Sequence, residues 1–424
     1  MAEAPIAIDL FCGAGGLSTG LEWAGFDVVW AVDSDSDVEA TYEANHTAPV
    51  TIADIGDLTA SEMPITMDDI DLVAGGPPCP TFSKIGRSKI GSLDRQTPAN
   101  DARHYLFEDF LRFVNTIQPE VFLMENVADF QSTAGIERES IIEEIKRQSA
   151  DAGYQTTVYE LDAADFGVPQ HRERCFIIGN QLDEPNPDLE ARATHRAPVR
   201  DTETKLNIRR QPDAFTQSAQ ATMNKYLPEE TTVGAPGDRK PWVTVGDAIL
   251  DLPPVSPDGT TPPKTADSYR LPPITPYQEW ARNRDNVEDW TTVQLANHTC
   301  RGHNMLDLSI YKLLGEGAGW DISDISQDLH PYRDDVFTDK YKKQHPRKPA
   351  STIIAHLEKD GHMFIHPREA RSLTVREAAR LQSFPDTFKF KASMVNNFRL
   401  VGNAVPPKLA ESLGEAIRDI LLAS

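Results

Sequence analysis

Residues 6–33 read IAIDLFCGAGGLSTGLEWAGFDVVWAVD and contain two apolar runs around a glycine-rich turn and a helical segment. The apolar runs Ile6 to Phe11 and Val28 to Val32 have the length of short buried strands, and Leu17 to Ala24 has the apolar spacing of a helix. A strand, a glycine-rich turn, a helix and a second strand make one unit of a doubly wound parallel sheet. The stretch therefore predicts an α/β fold.

The same alternation of strand-like and helix-like segments continues to about residue 180. The later segments are a helix at Asp35 to Asn45, a strand at Ile70 to Ala74, a helix near Tyr105 to Ile117, a strand at Val121 to Met124, a helix near Ile136 to Ala150, and strands at Tyr154 to Leu161 and Cys175 to Gly179. This order predicts a mostly parallel, Rossmann-like sheet. From about Glu184 to Pro276 prolines are frequent and periodicity fades, so we expect a second, smaller lobe or a long insertion there.

The composition is that of a globular chain with many acidic residues. At 424 residues it exceeds the usual size of one domain, so two lobes are expected. Because no apolar run has the length of a membrane span and the first residues lack a signal-peptide pattern, we expect a cytoplasmic protein. The net charge of −23 opposes binding of polyanions, but acidic residues spread along the whole chain are typical of proteins from salt-loving cells.

Residues 75–83, GGPPCPTFS, place a cysteine in a loop of glycines and prolines after a strand-like run. Cys79 is one of four widely spaced cysteines, so the spacing indicates neither a zinc site nor a disulfide framework, and no metal is expected. A thiolate nucleophile needs partial exposure, which a rigid loop at the end of a strand provides. The alternative of a buried small side chain fits less well, because Gly-Gly and Pro-Pro build loops rather than cores.

The glycine-rich turn admits two interpretations. Gly13, Gly15 and Gly16 would let backbone NH groups approach a ligand at the start of a helix, and Asp33 would accept hydrogen bonds from a ribose. A tight turn without any ligand explains the glycines equally well. Asp54, after a third strand-like run, would suit an adenine amino group.

Several motifs, in order, resemble those of the cytosine-5 DNA methyltransferase family over nearly the full length of the chain. They are Asp9 to Gly16, Asp33, Asp54, Pro77-Pro78-Cys79, Glu125-Asn126-Val127, Gln170 to Arg174, Arg371 to Pro385, and Val401 to Pro407. The chain departs from the family at Ser34, where a bulky residue is often found, and at Pro80-Thr81, where glutamine often follows the cysteine. The second departure affects loop detail more than chemistry.

The resemblance implies a DNA (cytosine-5)-methyltransferase that takes its methyl group from S-adenosylmethionine. The implied cofactor contacts are Phe11, Gly13, Gly15, Gly16, Leu17, Asp33, Asp54, Ile55, Pro77 and Asn403. Cys79 would add to carbon 6 of cytosine as a thiolate and so activate carbon 5. Glu125 would hydrogen-bond to ring nitrogen 3, while Arg172 and Arg174 would stabilise the thiolate and the base carbonyl or a nearby phosphate.

The target cytosine must leave the duplex to meet the thiol and the methyl donor from opposite sides, so a closing loop and a recognition lobe are also implied. Ser83 to Asn100 match the loop, in which Ser83, Lys84 and Arg87 would reach phosphates. We expect a catalytic domain at residues 1–183, completed by 396–424, and target recognition at residues 184–395. Candidate DNA contacts there, chosen by residue type, are His298, Arg301, His303 and the stretch Lys340 to Lys348, including Lys342 and Lys343. The implied partners are double-stranded DNA and a cognate restriction endonuclease for the same site.

Three other functions compete with this interpretation. A tRNA cytosine-5 methyltransferase shares the catalytic lobe, but the Cys-Phe-Thr triplet of that group is missing from this sequence. A non-catalytic relative that binds DNA would not need Cys79, Glu125, Arg172 and Arg174 together. A nicotinamide-dependent oxidoreductase would share the glycine turn and Asp33 but would leave Pro-Pro-Cys unexplained.

Overall fold

The computed structural model describes residues 3–66, 69–78, 106–128, 141–197, 239–259, 262–284, 294–314, 321–330 and 340–423. In these ranges the strands of the main sheet are β1 (Ile6–Leu10), β2 (Asp27–Asp33), β3 (Val50–Ile52), β4 (Leu72–Gly75), β5 (Val121–Val127), β6 (Gln155–Asp162) and β7 (Glu173–Asn180). A separate two-stranded sheet is formed by β8 (His195–Arg196) and β9 (Lys240–Pro241).

The helices of the described ranges occur before, within and after the proline-rich region. They are α1 (Gly16–Trp23), α2 (Glu39–Glu43), α3 (Leu106–Ile117), α4 (Ile141–Asp151), α5 (Val245–Ile249), α6 (Pro276–Asn283), α7 (Met305–Leu313), α8 (Val375–Leu381), α9 (Met394–Asn403) and α10 (Pro407–Leu421). None of the described helices is both long and apolar enough to span a membrane.

The main sheet has the strand order β3-β2-β1-β4-β5-β7-β6. The first five strands are parallel to one another, and β7 runs antiparallel to both β5 and β6. The predicted α/β fold with a mostly parallel sheet is therefore confirmed. Because the chain winds outward in both directions from β1 and β4, their carboxyl ends form the switch point at which such sheets bind ligands.

Each face of the sheet has its own core. Successive side chains of a strand point to opposite faces, so Ala7 joins the cluster that contains α1 and α10, whereas Ile8 joins the cluster that contains α3 and α4. Helices α1 and α10 lie very close together, because a Cβ at Gly20 would overlap the Cβ of Ala410. This contact joins the last helix of the chain to its first βαβ unit.

One predicted helix is shorter than expected. The sequence pattern predicts a helix from Asp35 to Asn45, but α2 begins at Glu39. The NH of Asp35 donates to Oδ1 of Asp33 (2.9 Å), and the NH of Asp37 donates to Oδ1 of Asp35 (3.1 Å). Side-chain acceptors of this kind compete with helical hydrogen bonds, so the chain stays in turns before α2 begins.

Helix α8 anchors the region between the proline-rich segment and the last two helices. Its predicted capping box is present, since the NH of Thr374 donates to Oε2 of Glu377 (2.7 Å) and the NH of Glu377 donates to Oγ1 of Thr374 (3.2 Å). The buried Arg376 guanidinium donates to the backbone carbonyls of Ala296, Pro385 and Phe388. Residues of α8 share the core of α1 and α10, so part of the predicted recognition region belongs to the same hydrophobic core as one face of the sheet. The domain boundaries stay a prediction.

Candidate active site

A cleft of about 580 Å³ lies beyond the carboxyl ends of β1, β2, β4 and β5. Most of the sequence-predicted site residues of the described ranges line it. They are Phe11, Gly13, Leu17, Asp33, Pro77, Glu125, Arg172, Arg174 and Asn403. Cys79, Ser83, Lys84 and Arg87 lie outside the described residues. Pro78, which precedes Cys79 in the sequence, is part of the lining.

The glycine-rich turn forms one wall of the cleft. Phe11, Gly13 and Gly15 have positive φ values of 63°, 53° and 86°, so the chain reverses direction tightly between β1 and α1. Gly15 and Gly16 do not line the cleft. A Cβ at Gly15 would overlap the His46 ring, and one at Gly16 would overlap the carbonyl oxygen of Val405. These two glycines are therefore required by packing behind the turn.

Asp33 connects the turn to the end of β2. Its Oδ2 accepts a hydrogen bond from the NH of Gly13 (2.9 Å), and its Oδ1 accepts one from the NH of Asp35. Burial raises the pKa of the Asp33 carboxyl, although both backbone hydrogen bonds act in the opposite direction. Arg399 of α9 forms ion pairs with Asp35 and Asp37 and so holds the loop after Asp33 in place.

Asp9, the first residue of the glycine-rich motif, also lines the cleft, although no function was predicted for it from the sequence. Only 1% of it is exposed, and its Oδ2 accepts hydrogen bonds from the NH (3.1 Å) and the hydroxyl (2.6 Å) of Ser18. Its Oδ1 is buried and has no hydrogen-bond partner among the described residues. Burial raises the pKa of Asp9 to about 7. In the sequence, an acidic residue near the end of an apolar strand was the signal that could have revealed it.

Glu125 and Arg174 form an ion pair in the lining of the cleft. The distance from Arg174 Nε to Glu125 Oε1 is 3.0 Å, and each side chain is 14% exposed. Antiparallel pairing of β5 with β7 places Val127 opposite Arg174, so Glu125 is its diagonal neighbour on the same face. A Cβ at Gly76 would lie 3.1 Å from Glu125 Oε2, so a larger residue there would shift this carboxylate by a few tenths of an ångström.

Arg172 is a nearly completely buried guanidinium, with 2% exposed. Its Nη1 donates to the carbonyl of Ile353 (2.8 Å) and its Nη2 to the carbonyl of Gly402 (3.2 Å), which ties β7 to two distant parts of the chain. Burial lowers the pKa of Arg172 well below its usual value, and the positive charge of Arg174 lowers it further. The negative charge of Glu125 partly offsets this lowering.

Asn126 fixes the loop that leads to Cys79. Its side-chain amide donates to the carbonyl of Pro77 (3.0 Å), and its Oδ1 accepts from the NH of Val127 (2.9 Å). The side chain is buried, so both bonds are protected from water. Asn126 belongs to the Glu125-Asn126-Val127 motif, but no function was predicted for it from the sequence.

The segment from residue 354 to residue 359 completes the cleft and was not predicted from the sequence. Ile354, His356 and Lys359 are among its lining residues. A Cβ at Gly402 would overlap the backbone of Ile354 and Ala355, so the short helix Ala355–Glu358 packs directly on α9. Gly402 in the last motif indicated a close contact, but the sequence does not reveal that its partner is the segment at residues 354–355.

Asp54 and Ile55 are not part of the cleft lining. Asp54 is exposed, and its Oδ1 accepts from the NH of Gly56 (3.0 Å) at the start of a short helix. Ile55 is buried in the core beneath α3, and its carbonyl accepts from Arg112 (2.7 Å). Both residues have structural contacts that account for their positions.

The candidate DNA contacts of the recognition region differ in their surroundings. The prediction for His298 is wrong, because the ring is buried and hydrogen-bonded to Thr374 (3.0 Å) and to the carbonyl of Pro253 (2.7 Å). His303 contacts Ser372 (3.0 Å). Arg301 donates to the carbonyl of Glu358 (3.0 Å) and lies over the Phe398 ring, 4.6 Å from its centroid.

The lysines of the same region also differ. Lys343 is buried, and its ammonium donates to the carbonyl of Leu314 (3.1 Å). Lys342 is half-buried and lines a second, smaller pocket.

Comparison with known proteins shows the family to which the chain belongs. A family model described as C-5 cytosine-specific DNA methylase matches residues 6–419. The putative type II methyltransferase M.OihORF3336P of Oceanobacillus iheyensis is 33% identical over 98% of this chain and 95% of its own length. The type II methyltransferase M.AgeI of Thalassovita gelatinovora is 29% identical over 97% of this chain and 98% of its own length.

A solved structure supports the same fold. It is a putative DNA modification methyltransferase encoded within an E. coli prophage, with a TM-score of 0.65 and 23% identity over 99% of this chain and 100% of that chain. The curated relatives do not favour the tRNA or regulatory alternatives. With a family model matched over nearly its whole length, the chain belongs to the C-5 cytosine-specific DNA methylase family and is a DNA cytosine-5 methyltransferase.

Proposed function

We propose that the protein transfers a methyl group from S-adenosylmethionine to carbon 5 of a flipped cytosine in a specific duplex sequence, through a covalent adduct on Cys79. The observation that carries the proposal is the Glu125–Arg174 ion pair beside Gly76 and Pro77 in the cleft. A carboxyl group, a guanidinium and the backbone that leads to a cysteine are the groups needed to activate a pyrimidine ring.

The cleft fits S-adenosylmethionine in charge and size. Its volume of about 580 Å³ is within the usual range for ligand sites, and the unpaired buried oxygen of Asp9 suits a cationic ligand. We assign Phe11 to the adenine ring, Asp33 to the ribose hydroxyls, and Gly13, Leu17, Pro77 and Asn403 to the remaining surface. Gly15 and Gly16 shape the turn. For Asp54 and Ile55 a contact with the adenine stays a prediction without support from the cleft lining.

S-adenosylmethionine supplies, when bound, an electrophilic methyl group on a sulfonium. The protein's task is to make carbon 5 nucleophilic. Cys79 forms a bond to carbon 6 as a thiolate, and the electron pair of the 5,6 double bond moves to carbon 5, where it is delocalised towards ring nitrogen 3. Glu125 hydrogen-bonds to ring nitrogen 3 and so relieves the charge that develops there.

Arg172 and Arg174 provide the positive field for this step. A thiolate and a base carbonyl that gains negative charge are both stabilised by buried guanidinium groups, whose effect is stronger away from water. Arg174 also orients Glu125 through their ion pair. After methyl transfer, a water molecule accepts the carbon 5 proton. The electron pair of that bond re-forms the 5,6 double bond, and the bond between carbon 6 and sulfur breaks to release the Cys79 thiolate.

The setting of this reaction belongs to the same proposal. Double-stranded DNA is the substrate, with recognition by residues of the region 184–395 and closure by the loop that contains Ser83, Lys84 and Arg87. The relatives' description as type II methyltransferases supports a cognate restriction endonuclease as a partner. Action on chromosomal DNA in the cytoplasm fits this setting.

The decisive test is methyl transfer from radiolabelled S-adenosylmethionine to unmethylated plasmid DNA and, in parallel, to bulk tRNA. We expect label on DNA that is lost in Cys79→Ala and retained in Cys300→Ala, whose thiol is buried outside the cleft. Bisulfite mapping would then give the target sequence. Label on tRNA alone would support the runner-up enzyme, and a folded protein that binds the cofactor but labels neither substrate would support a regulatory function.

A further inference from the structure

A second pocket, of about 290 Å³, lies next to the arginine motif at the start of β7. Its walls are His171 and two short stretches, residues 342–345 and 348–351. His171 is followed in the chain by Arg172, which lines the cleft. Two consecutive residues, His171 and Arg172, therefore line the pocket and the cleft respectively.

The pocket is basic although the chain is strongly acidic. Lys342, Lys343 and Lys348 line it together with His171 and His345. In the part of the chain that the structure describes, no Asp or Glu belongs to its lining. With 65 acidic and 42 basic residues in the whole sequence, a pocket with this composition indicates an anionic ligand.

Backbone hydrogen bonds fix the two walls to each other. The NH of His171 donates to the carbonyl of Ala350 (2.9 Å), and the NH of Ala350 donates to the carbonyl of Pro169 (2.9 Å). The hydroxyl of Thr352 donates to the carbonyl of His171 (2.8 Å). The spacing between the lysine-bearing stretches and the arginine motif is thus set by the fold.

Two side chains of the pocket are held by other residues. The Nδ1 of His171 lies 2.7 Å from Oδ2 of Asp162, which orients the ring. The ammonium of Lys343 donates to the carbonyl of Leu314, so this lysine contributes charge from beneath the surface. Lys342 is half-buried and Lys348 is exposed, and these two are the cations best placed to meet a ligand from solution.

We propose that this pocket binds a backbone phosphate of the DNA strand next to the target cytosine, with Lys342 and Lys348 as its main contacts. The inference rests on the proposed function. It follows from the charge of the pocket and from its position beside the wall of the cleft. Lysine ammonium groups bind phosphates as point charges, and phosphate contacts fix the register of a protein on DNA.

The test is the salt dependence of binding to unmethylated plasmid DNA. Each lost phosphate contact reduces the slope of log K against log[KCl] by about 0.9. At 0.15 M KCl one contact is worth roughly fivefold in affinity, and the difference vanishes towards 1 M. We therefore expect the Lys342→Ala/Lys348→Ala double variant to lose about 0.9 from the slope and to bind plasmid DNA about fivefold more weakly, and each single variant to lose part of both.

Matched variants separate charge from fold. Lys342→Arg keeps the charge and should restore most of the affinity. Lys146→Ala removes a lysine of α4 whose ammonium lies 3.1 Å from Glu143, and its slope should equal that of the wild type. All measurements are made at KCl concentrations at which circular dichroism shows that each protein is folded.

Methyl-transfer assays test the pocket assignment and the proposed function separately. The lysine variants should raise KM for DNA and keep kcat at saturating DNA. Wild-type protein that methylates plasmid DNA, with lysine variants of unchanged slope and KM, would overturn the pocket assignment alone. Wild-type protein without DNA methylation would overturn the proposed function, whatever the variants bind.

Discussion

Arg174 Nε lies 3.0 Å from Glu125 Oε1 across the antiparallel pair of β5 and β7, and both side chains are largely buried. The pair joins two separate sequence motifs in one wall of the cleft. It orients the carboxyl group and at the same time limits the positive charge of the guanidinium. Its contribution to catalysis should therefore be cooperative.

Glu125→Gln keeps the shape of the side chain but removes its charge and the strong ion pair with Arg174. We expect kcat to fall by about 10²–10³-fold, because a group that stabilises developing charge is lost. Arg174→Gln should have a similar effect, and the double variant should lose much less than the product of the two. Single-turnover methyl transfer measures all three variants.

A surface pair provides the control for this cycle. Glu143 and Lys146 of α4 are separated by 3.1 Å but are largely exposed. Their double-variant cycle should show coupling of at most about 1 kcal/mol in stability and none in kcat. Additive losses at Glu125 and Arg174 would mean that the two side chains act independently.

Asn126 should position the loop that leads to Cys79. Asn126→Ala leaves the Pro77 carbonyl without its donor, and Asn126→Asp replaces that donor by an acceptor. Leaving a buried carbonyl without its donor costs about 1–3 kcal/mol, so kcat/KM should fall roughly 5–150-fold. Asn115→Ala on the exposed side of α3 is the control. Wild-type kinetics in a folded Asn126→Ala protein would show that the loop is held by other contacts.

Asp9 should make both stability and cofactor binding depend on pH. Its pKa of about 7 in the folded protein is above the value of about 4 in the unfolded chain. Between these values the folded state binds more protons, so the free energy of unfolding should fall as pH rises, by at most about 1.4 kcal/mol per pH unit. Denaturant titrations of wild type and Asp9→Asn measure the difference.

The same ionisation should favour a cationic ligand. Affinity for S-adenosylmethionine should rise between pH 6 and pH 8 in the wild type and lose this dependence in Asp9→Asn. Titration calorimetry at several pH values measures both. If the wild type and Asp9→Asn show parallel pH profiles, the buried carboxylate does not face the cofactor.

The sheet and much of the cleft could be predicted because they depend on local patterns. The apolar runs of β1, β2 and β4 and the glycine-rich turn are each read from a few consecutive residues. The start of α2 was missed because side chains of Asp33 and Asp35 compete for backbone NH groups, which periodicity does not show.

The contacts between distant segments could not be predicted. Arg172 donates to carbonyls of Ile353 and Gly402, which are 181 and 230 residues away, and no local pattern encodes such partners. His298 resembled a DNA contact by residue type, whereas tertiary packing buries it against Thr374. Residue type predicts which groups are able to bind a ligand, and only the fold decides which of them are accessible.

The acidic composition should make stability depend on salt. A net charge of −23 destabilises the compact state by self-repulsion, and the screening length falls from about 10 Å at 0.1 M to about 3 Å at 1 M salt. The thermal midpoint should therefore rise between 0.1 M and 2 M KCl. Calorimetric scans at fixed pH measure this, and sucrose at equal osmolality is the control for solute exclusion.

The same salt weakens DNA binding, because counterion release loses its driving force as the bulk concentration rises. Methylation of plasmid DNA should therefore pass through an optimum in KCl, limited by folding at low salt and by DNA affinity at high salt. Lys342→Ala should reduce methylation least on the high-salt side of this optimum, because the phosphate contact of Lys342 is already screened there. A protein that is most stable and most active in dilute buffer would refute the interpretation of its charge as an adaptation to strong salt.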